Sequence, residues 1–188
     1  MAKNLKALSY RNYYKSDVMT ILTKTEIVNR IKKRNIVIEP FFESNLGPAS
    51  YDLSLGNEFR IYKKNNFEID VKEDTDYKEY TKEVKVKDFI EMKPGDFILG
   101  ITKEKITLPE NICAWLGGRS RFARLGVQIH ITAAFIQPGI SNKQVLELYN
   151  CSPKIIKLYP GTKICQLIFE ETHGKALYKG KFVKQLKV

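Results

Sequence analysis

Three arginines, a serine and a glutamate stand out in this chain as groups that could do chemistry. They lie within residues 117–150, GGRSRFARLGVQIHITAAFIQPGISNKQVLELYN. Gly117 and Gly118 precede Arg119, Ser120, Arg121 and Arg124. A guanidinium offers a planar fork of donors that matches phosphate oxygens, and glycine lets backbone N–H groups approach an anion. The spacing lacks the Gly-Lys-Ser/Thr ending of a Walker A loop. A basic surface turn would have the same composition, so the cluster by itself says only that a phosphate-bearing ligand fits. Glu147 sits in the middle of Val145-Leu146-Glu147-Leu148-Tyr149. Strand alternation puts Leu146 and Leu148 on one face and Val145, Glu147 and Tyr149 on the other. A carboxylate flanked by leucines is costly if buried without a partner, and the upstream arginines offer one. As an exposed edge-strand residue it would need none.

The remaining chemistry-bearing residues are sparse. Cys113, Cys151 and Cys165 are an odd, widely spaced set that suggests buried thiols and neither a disulfide framework nor a metal knuckle. With only His130 and His173 available, a zinc centre built by this chain alone is not expected. His130, in an apolar stretch, reads as structural, and His173 as exposed. Trp115 is expected in the core or in a contact between subunits, and Asp52 in a turn or subunit contact. The formal net charge of +11 favours an anionic partner, but most of the lysines are scattered. A nucleic-acid-binding β-domain would interleave aromatics with basic strands, whereas the basic residues here gather at one compact motif. No run approaches the roughly 18 apolar residues of a membrane span, and the N-terminus lacks a signal-peptide apolar core. The chain reads as soluble and cytoplasmic, without a membrane or nucleic-acid partner.

The elements that must position these groups are mostly short strands. Residues 1–20 form a polar extension. A helix follows, with Thr23 and Glu26 as a capping box, Leu22 and Ile27 as its staple, and an end near Asn35. Strands are expected at 36–38, 51–55, 58–62, 84–90, 97–102, 112–116, 127–132, 144–149, 155–158 and 164–170. Charged residues 63–83 read as an exposed hairpin or loop, and Pro94-Gly95, Pro138-Gly139 and Pro160-Gly161 mark turns. The pattern predicts a mainly β fold, a distorted jelly-roll or barrel with an N-terminal helix.

Taken in order, GRSRFARLG, VQIHITAAFIQPG, VLELYN and LYPGTKICQLIFEE resemble the core blocks of the dCTP deaminase family of the dUTPase-like superfamily. SYDLSLGNEF resembles its earlier Ser-Tyr-Asp block, and LYKGKFVKQ its C-terminal Tyr, Lys and Gln segment. The resemblance runs from about Thr23 to Gln185. It implies a homotrimer with active sites between subunits, converting dCTP to dUTP and ammonia without catalytic zinc and so feeding dUMP synthesis. It implies that Glu147 is the general acid and base, that Ser120 and the carbonyl of Ala133 position water, and that Arg124 holds Glu147. Arg119, Ser120 and Arg121 fall in the phosphate-binding block, and Phe122, Ala123 and Arg124 beside them are also implied to bind substrate. Val145, Leu146 and Glu147 line the base and sugar pocket, and Gln137 contacts the sugar. Gln166 falls at a triphosphate position, and Tyr178, Lys181 and Gln185 belong to a segment that closes over the triphosphate. The implied organisation is an extension (1–20), a barrel domain (21–172) and a closing segment (173–188). No protein-held metal is implied. Mg²⁺ would arrive with the triphosphate, and dTTP is a candidate inhibitor.

The chemistry suits these residue types. One carboxylate can take a proton from water and later deliver it to the leaving amine. The H-x-E and P-C-x-x-C signatures of zinc deaminases are absent. The chain also departs from the family pattern. Arg121 replaces a serine common in the Arg-Ser-Ser block, and Phe182 replaces a common tyrosine. Gln137 stands in Ile136-Gln137-Pro138-Gly139, where relatives often carry aspartate, and its amide is not a base at neutral pH. The expectation is therefore deamination without efficient dUTP hydrolysis. The alternatives are a dUTPase or bifunctional enzyme on the same scaffold, and a catalytically silent nucleotide-binding regulator.

Overall fold

A computed structural model describes residues 20–64 and 68–188, so nearly all of the expected 1–20 extension lies outside the described residues. Helix α1 spans Lys24–Lys32. Leu22 and Ile27, the two staple residues, are both buried. The capping box is not formed: the Thr23 side chain makes no cap bond. Glu26 instead accepts from Arg30 Nε at 2.6 Å, one turn further on, where a charge-assisted bond outcompetes a reach back to the cap. Arg30 also binds Glu171. The helix ends two residues before Arg34, whose φ of 56° turns the chain out of the helical path.

The strands are β1 (Val37–Glu39), β2 (Tyr51–Tyr62), β3 (Thr81–Lys85), β4 (Ile90–Met92), β5 (Phe97–Thr107), β6 (Ile112–Gly118), β7 (Val127–Gln128), β8 (Phe135–Ile136), β9 (Ser141–Asn150), β10 (Ile156–Leu158) and β11 (Lys163–Glu171). Nine of them form one antiparallel sheet in the order β7-β9-β5-β2-β11-β6-β8, with β1 added beside β5 and β3 beside β2. β10 and β4 pair separately. The sheet curls around a core that includes Tyr51, Phe59, Leu146, Leu148, Leu167 and Phe169. The expected mainly β, barrel-like architecture with an N-terminal helix is what the chain adopts. Single helical turns α2 (Tyr77–Tyr80) and α3 (Ser120–Ala123) interrupt the strands.

Several expected boundaries differ for identifiable reasons. The runs 51–55 and 58–62 are one strand, because Gly56-Asn57 lies at a register slip against β5 rather than at a turn. A Cβ on Gly56 would meet the Ile101 carbonyl oxygen at 2.7 Å, so glycine permits the close approach of the two backbones. Residues 63–83 are more than an exposed loop: they carry α2 and the start of β3, with Thr81 buried. The run 84–90 divides between β3 and β4. The run 127–132 is a strand only at Val127–Gln128, because the amides of Ile131 and Thr132 are drawn to the Glu147 side chain. Cys113 and Cys165 are buried as expected, but Cys151 is exposed just beyond the end of β9. Trp115 is not in the core of the chain; it is 45% exposed and stands against Phe135 at 4.9 Å between ring centroids.

Candidate active site

Strand β9 sets the centre of the site. Its burial alternates without a break, placing Asn142, Gln144, Leu146, Leu148 and Asn150 inward, with Val145, Glu147 and Tyr149 on the opposite face. Pairing with β5 puts Glu147 opposite Leu99. Both residues line a cavity of about 540 Å³, together with His130, Ala133, Gln137 and Val145. Tyr178, Phe182 and Gln185 close it from the C-terminal side, and Tyr62, Tyr77 and Phe97 form an aromatic portion of the wall.

The Glu147 carboxylate is held by the loop between β7 and β8. Its Oε2 accepts the backbone N–H of Ile131 at 3.0 Å and of Thr132 at 2.8 Å. The Thr132 hydroxyl adds a donor at 3.2 Å. Burial pushes the Glu147 pKa up, but the Thr132 amide, the field of His130, the Ile131 amide and the Thr132 hydroxyl together outweigh it. The carboxylate therefore titrates below its ordinary range and is ionised at neutral pH. His130, which the sequence places in an apolar stretch, lines the cavity, and both of its ring nitrogens are buried without a hydrogen-bond partner.

The basic cluster lies elsewhere on the same chain. It follows β6 on α3, where Ser120, Arg121, Ala123 and Arg124 are exposed and Phe122 packs against the core. Arg119 is half-buried: its Nη2 lies 3.1 Å from Asp52 Oδ2, and its Nη1 donates to the Lys163 carbonyl at 2.6 Å. Burial raises the Asp52 pKa, and the Arg119 charge opposes that rise. Gln166 Nε2 donates to the Gly118 carbonyl at 3.2 Å, on the same side. None of Arg119, Ser120, Arg121, Arg124 or Gln166 lines the Glu147 cavity. The expected contact between Arg124 and Glu147 is thus not made within one chain, where backbone amides take the arginine's place. Leu146 is fully buried on the core face and can offer the cavity only its backbone. Lys181 is exposed and lies outside the cavity that Tyr178 and Gln185 line.

Asn142 and Gln144 also line the cavity and were not anticipated. The signal was present: both fall on the Leu146/Leu148 face, where a polar side chain demands an internal partner. Gln144 Nε2 donates to Asn142 Oδ1 at 2.6 Å, and Asn142 Nδ2 donates to the Phe182 carbonyl at 2.7 Å. Tyr77 was hidden in a charged segment with no periodicity.

The curled sheet has the fold of 2′-deoxycytidine 5′-triphosphate deaminase from Agrobacterium tumefaciens. That match has a TM-score of 0.66 at 19% identity, covering 84% of this chain and 50% of the other, so this chain spans half the length of that protein. Residues 21–172 match the family model described as dCTP deaminase-like, and the chain belongs to that family. A relative named dCTP deaminase, dUMP-forming, from Methanobrevibacter smithii is 35% identical over 181 residues, spanning 90% of this chain and 93% of the relative. A relative named dCTP deaminase from Thermomicrobium roseum is 37% identical over 163 residues, spanning 84% and 82%.

Proposed function

We propose that this protein hydrolyses the C4 amino group of dCTP, giving dUTP and ammonia. The observation that carries this reading is the ionised Glu147 carboxylate, the only carboxylate among the described residues lining the cavity. As a base it takes a proton from water as the water oxygen bonds to C4 of the pyrimidine, and it passes that proton to N3. The same carboxylate then takes the proton of the new C4 hydroxyl and gives it to the amine; the C4–N bond breaks as the C4 carbonyl forms, and ammonia leaves. The Ala133 carbonyl, at the cavity wall, accepts a hydrogen bond from that water, and Ser120 provides a second contact. Val145 and the Leu146 backbone border the base, and Gln137 meets the sugar 3′-hydroxyl. Incubation with dCTP, with ammonia and nucleotides quantified together, tests the reading; ammonia without dUTP or a uracil product contradicts it.

Ser120, Arg124, Arg119, Arg121 and Gln166 reach the reacting centre from a neighbouring copy in a homotrimer. Two features support that arrangement: the division of the site residues between two separate surfaces, and the exposed Trp115–Phe135 pair, whose Phe135 borders the Glu147 cavity. The neighbour's Arg124 then supplies the cation beside Glu147, and its arginines meet the triphosphate. Residues 173–188 act as the closing segment on the barrel domain, with Tyr178 and Gln185 at the cavity and Lys181 turning to the phosphates. Among the described residues no group of three or more His, Cys, Asp or Glu could hold a metal ion. Mg²⁺ would arrive with the triphosphate, held by its phosphate oxygens. dTTP, with the same sugar and triphosphate, would compete for the cavity. No described helix is long and apolar enough to cross a membrane. The proposed substrate, a free nucleotide, is the reason for placing the reaction in the cytoplasm.

Gln137 cannot act as a base for water attack on phosphate, which favours dUTP as the released product. The name dUMP-forming carried by the Methanobrevibacter smithii relative favours a second reading, in which dUTP is carried on to dUMP and pyrophosphate. Product analysis over time separates them. Retained triphosphate supports the first reading, and dUMP as the main product supports the second.

A further inference from the structure

Arg60 is a buried guanidinium that plays no part in the chemistry above. It is 6% exposed and sits on β2, paired across the sheet with Leu99 of the cavity wall. Its Nε donates to Thr81 Oγ1 at 2.8 Å, and its Nη1 to Glu83 Oε1 at 2.9 Å. Nη2 donates to the carbonyls of Thr81 at 3.3 Å and Lys78 at 3.5 Å. The guanidinium lies 5.7 Å from the centroid of Tyr77, one of the aromatic rings in the cavity wall. Finally, Nη1 donates to the Val188 carbonyl at 3.4 Å, and the Val188 side chain is itself buried. Three separate pieces of chain therefore converge on one fork of donors: the α2 turn, β3 and Val188.

That segment covers the cavity through a short ladder on β9. Ser141 donates its N–H to Val183 O at 2.9 Å, Lys143 donates to Gln185 O at 2.9 Å, and Asn142 donates to Phe182 O as described. Tyr178 donates its N–H to Pro138 O at 3.1 Å at the other end. Beyond Gln185 the strap is held by the buried Val188 side chain and by the Arg60 bond to the Val188 main-chain oxygen. Burying a cation against mostly neutral acceptors is costly, and an apolar residue would fill the same space at less cost. What the guanidinium adds is geometry, because five donors in a fixed plane can join three segments at once and a lysine cannot.

We propose that Arg60 is a positioning residue. It anchors the C-terminal strap at Val188 and the Tyr77 wall at the same point, so that Tyr178, Phe182 and Gln185 are held over the bound nucleotide. The link to nucleotide binding rests on the function proposed above; the anchoring itself does not.

The test is amide hydrogen exchange on the full chain without nucleotide, followed by steady-state kinetics with dCTP. In Arg60→Gln, exchange at Ser141 and Lys143 should accelerate roughly tenfold or more, the order expected for loss of a charge-assisted bond. Exchange at Leu146 and Leu148 should be unchanged, KM should rise by a similar factor, and kcat should stay within about twofold. Arg60→Lys, which keeps the charge and loses the fork, should leave the two strap-covered amides fast. Val188→Gly keeps Arg60 and the main-chain oxygen it binds and removes only the buried side chain, so the same two amides should speed less than in Arg60→Gln. Unchanged exchange at Ser141 and Lys143 in Arg60→Gln, or an equal or larger shift in Val188→Gly, overturns the Arg60 anchor. A kcat loss with normal KM overturns the positioning role. If the unaltered protein fails to turn over dCTP, the proposed function fails while the exchange data still decide the anchor.

Discussion

The Oε2 of Glu147 accepts the backbone N–H of Thr132 at 2.8 Å, so the carboxylate on β9 fixes the loop that lines the opposite side of its own cavity. Each group depends on the other. The loop amides keep the carboxylate charged, and the carboxylate holds the exposed Ile131–Thr132 loop in one place.

This relationship fixes a pH dependence. The Glu147 pKa lies below the ordinary 4.5, so its ionised form favours the folded state. That contribution is complete above 4.5 and is lost as pH falls through the lower folded value. The ¹³C shift of the Glu147 carboxyl should titrate below 4.5 in the native protein. In Thr132→Ala the hydroxyl donor is gone and the amides remain, so the midpoint should move upward and kcat should fall about 2- to 10-fold. A Glu147 midpoint near neutrality contradicts the assignment.

If a neighbouring copy completes the site, two inactive variants should rescue one another. Glu147→Gln and Arg124→Ala, each nearly inactive alone, should regain roughly a quarter of full activity when unfolded together and refolded in equal amounts, since random assembly gives one intact site in four. Sedimentation should show a trimer. A mixture as inactive as its components places both residues in the same chain's site.

Gly126 holds a φ of 81° just beyond α3, and a Cβ there would meet Ser152 Cβ at 2.6 Å. Gly126→Ala should lower stability by about 1–3 kcal/mol, read as a lower urea midpoint with unchanged slope. An unaltered midpoint means that the turn relaxes at no cost.

Much of this was legible in the residues. The alternation through Val145–Tyr149 placed Glu147 on the face it occupies, and the ordered blocks from Arg119 to Glu171 gave the architecture. What could not be read was how the site divides. Arg124 and Glu147 lie 23 positions apart and invite pairing, yet the chain satisfies Glu147 with amides donated by a loop, and amides carry no side-chain signature in a sequence. The place of His130 in the cavity wall gave no signal, because an apolar neighbourhood predicts burial without saying what the burial faces. Arg60 gave no signal either, since an arginine in a strand is read as exposed until Thr81, Glu83 and Val188 are known to surround it.

The most direct test of the account replaces one oxygen. Glu147→Gln keeps the size of the side chain and removes its capacity to take a proton. Ammonia release from dCTP should fall by at least about 10²-fold, while the affinity for dCTP stays within a few-fold of the unaltered protein. Turnover that survives this substitution undiminished would mean that Glu147 does not move the protons.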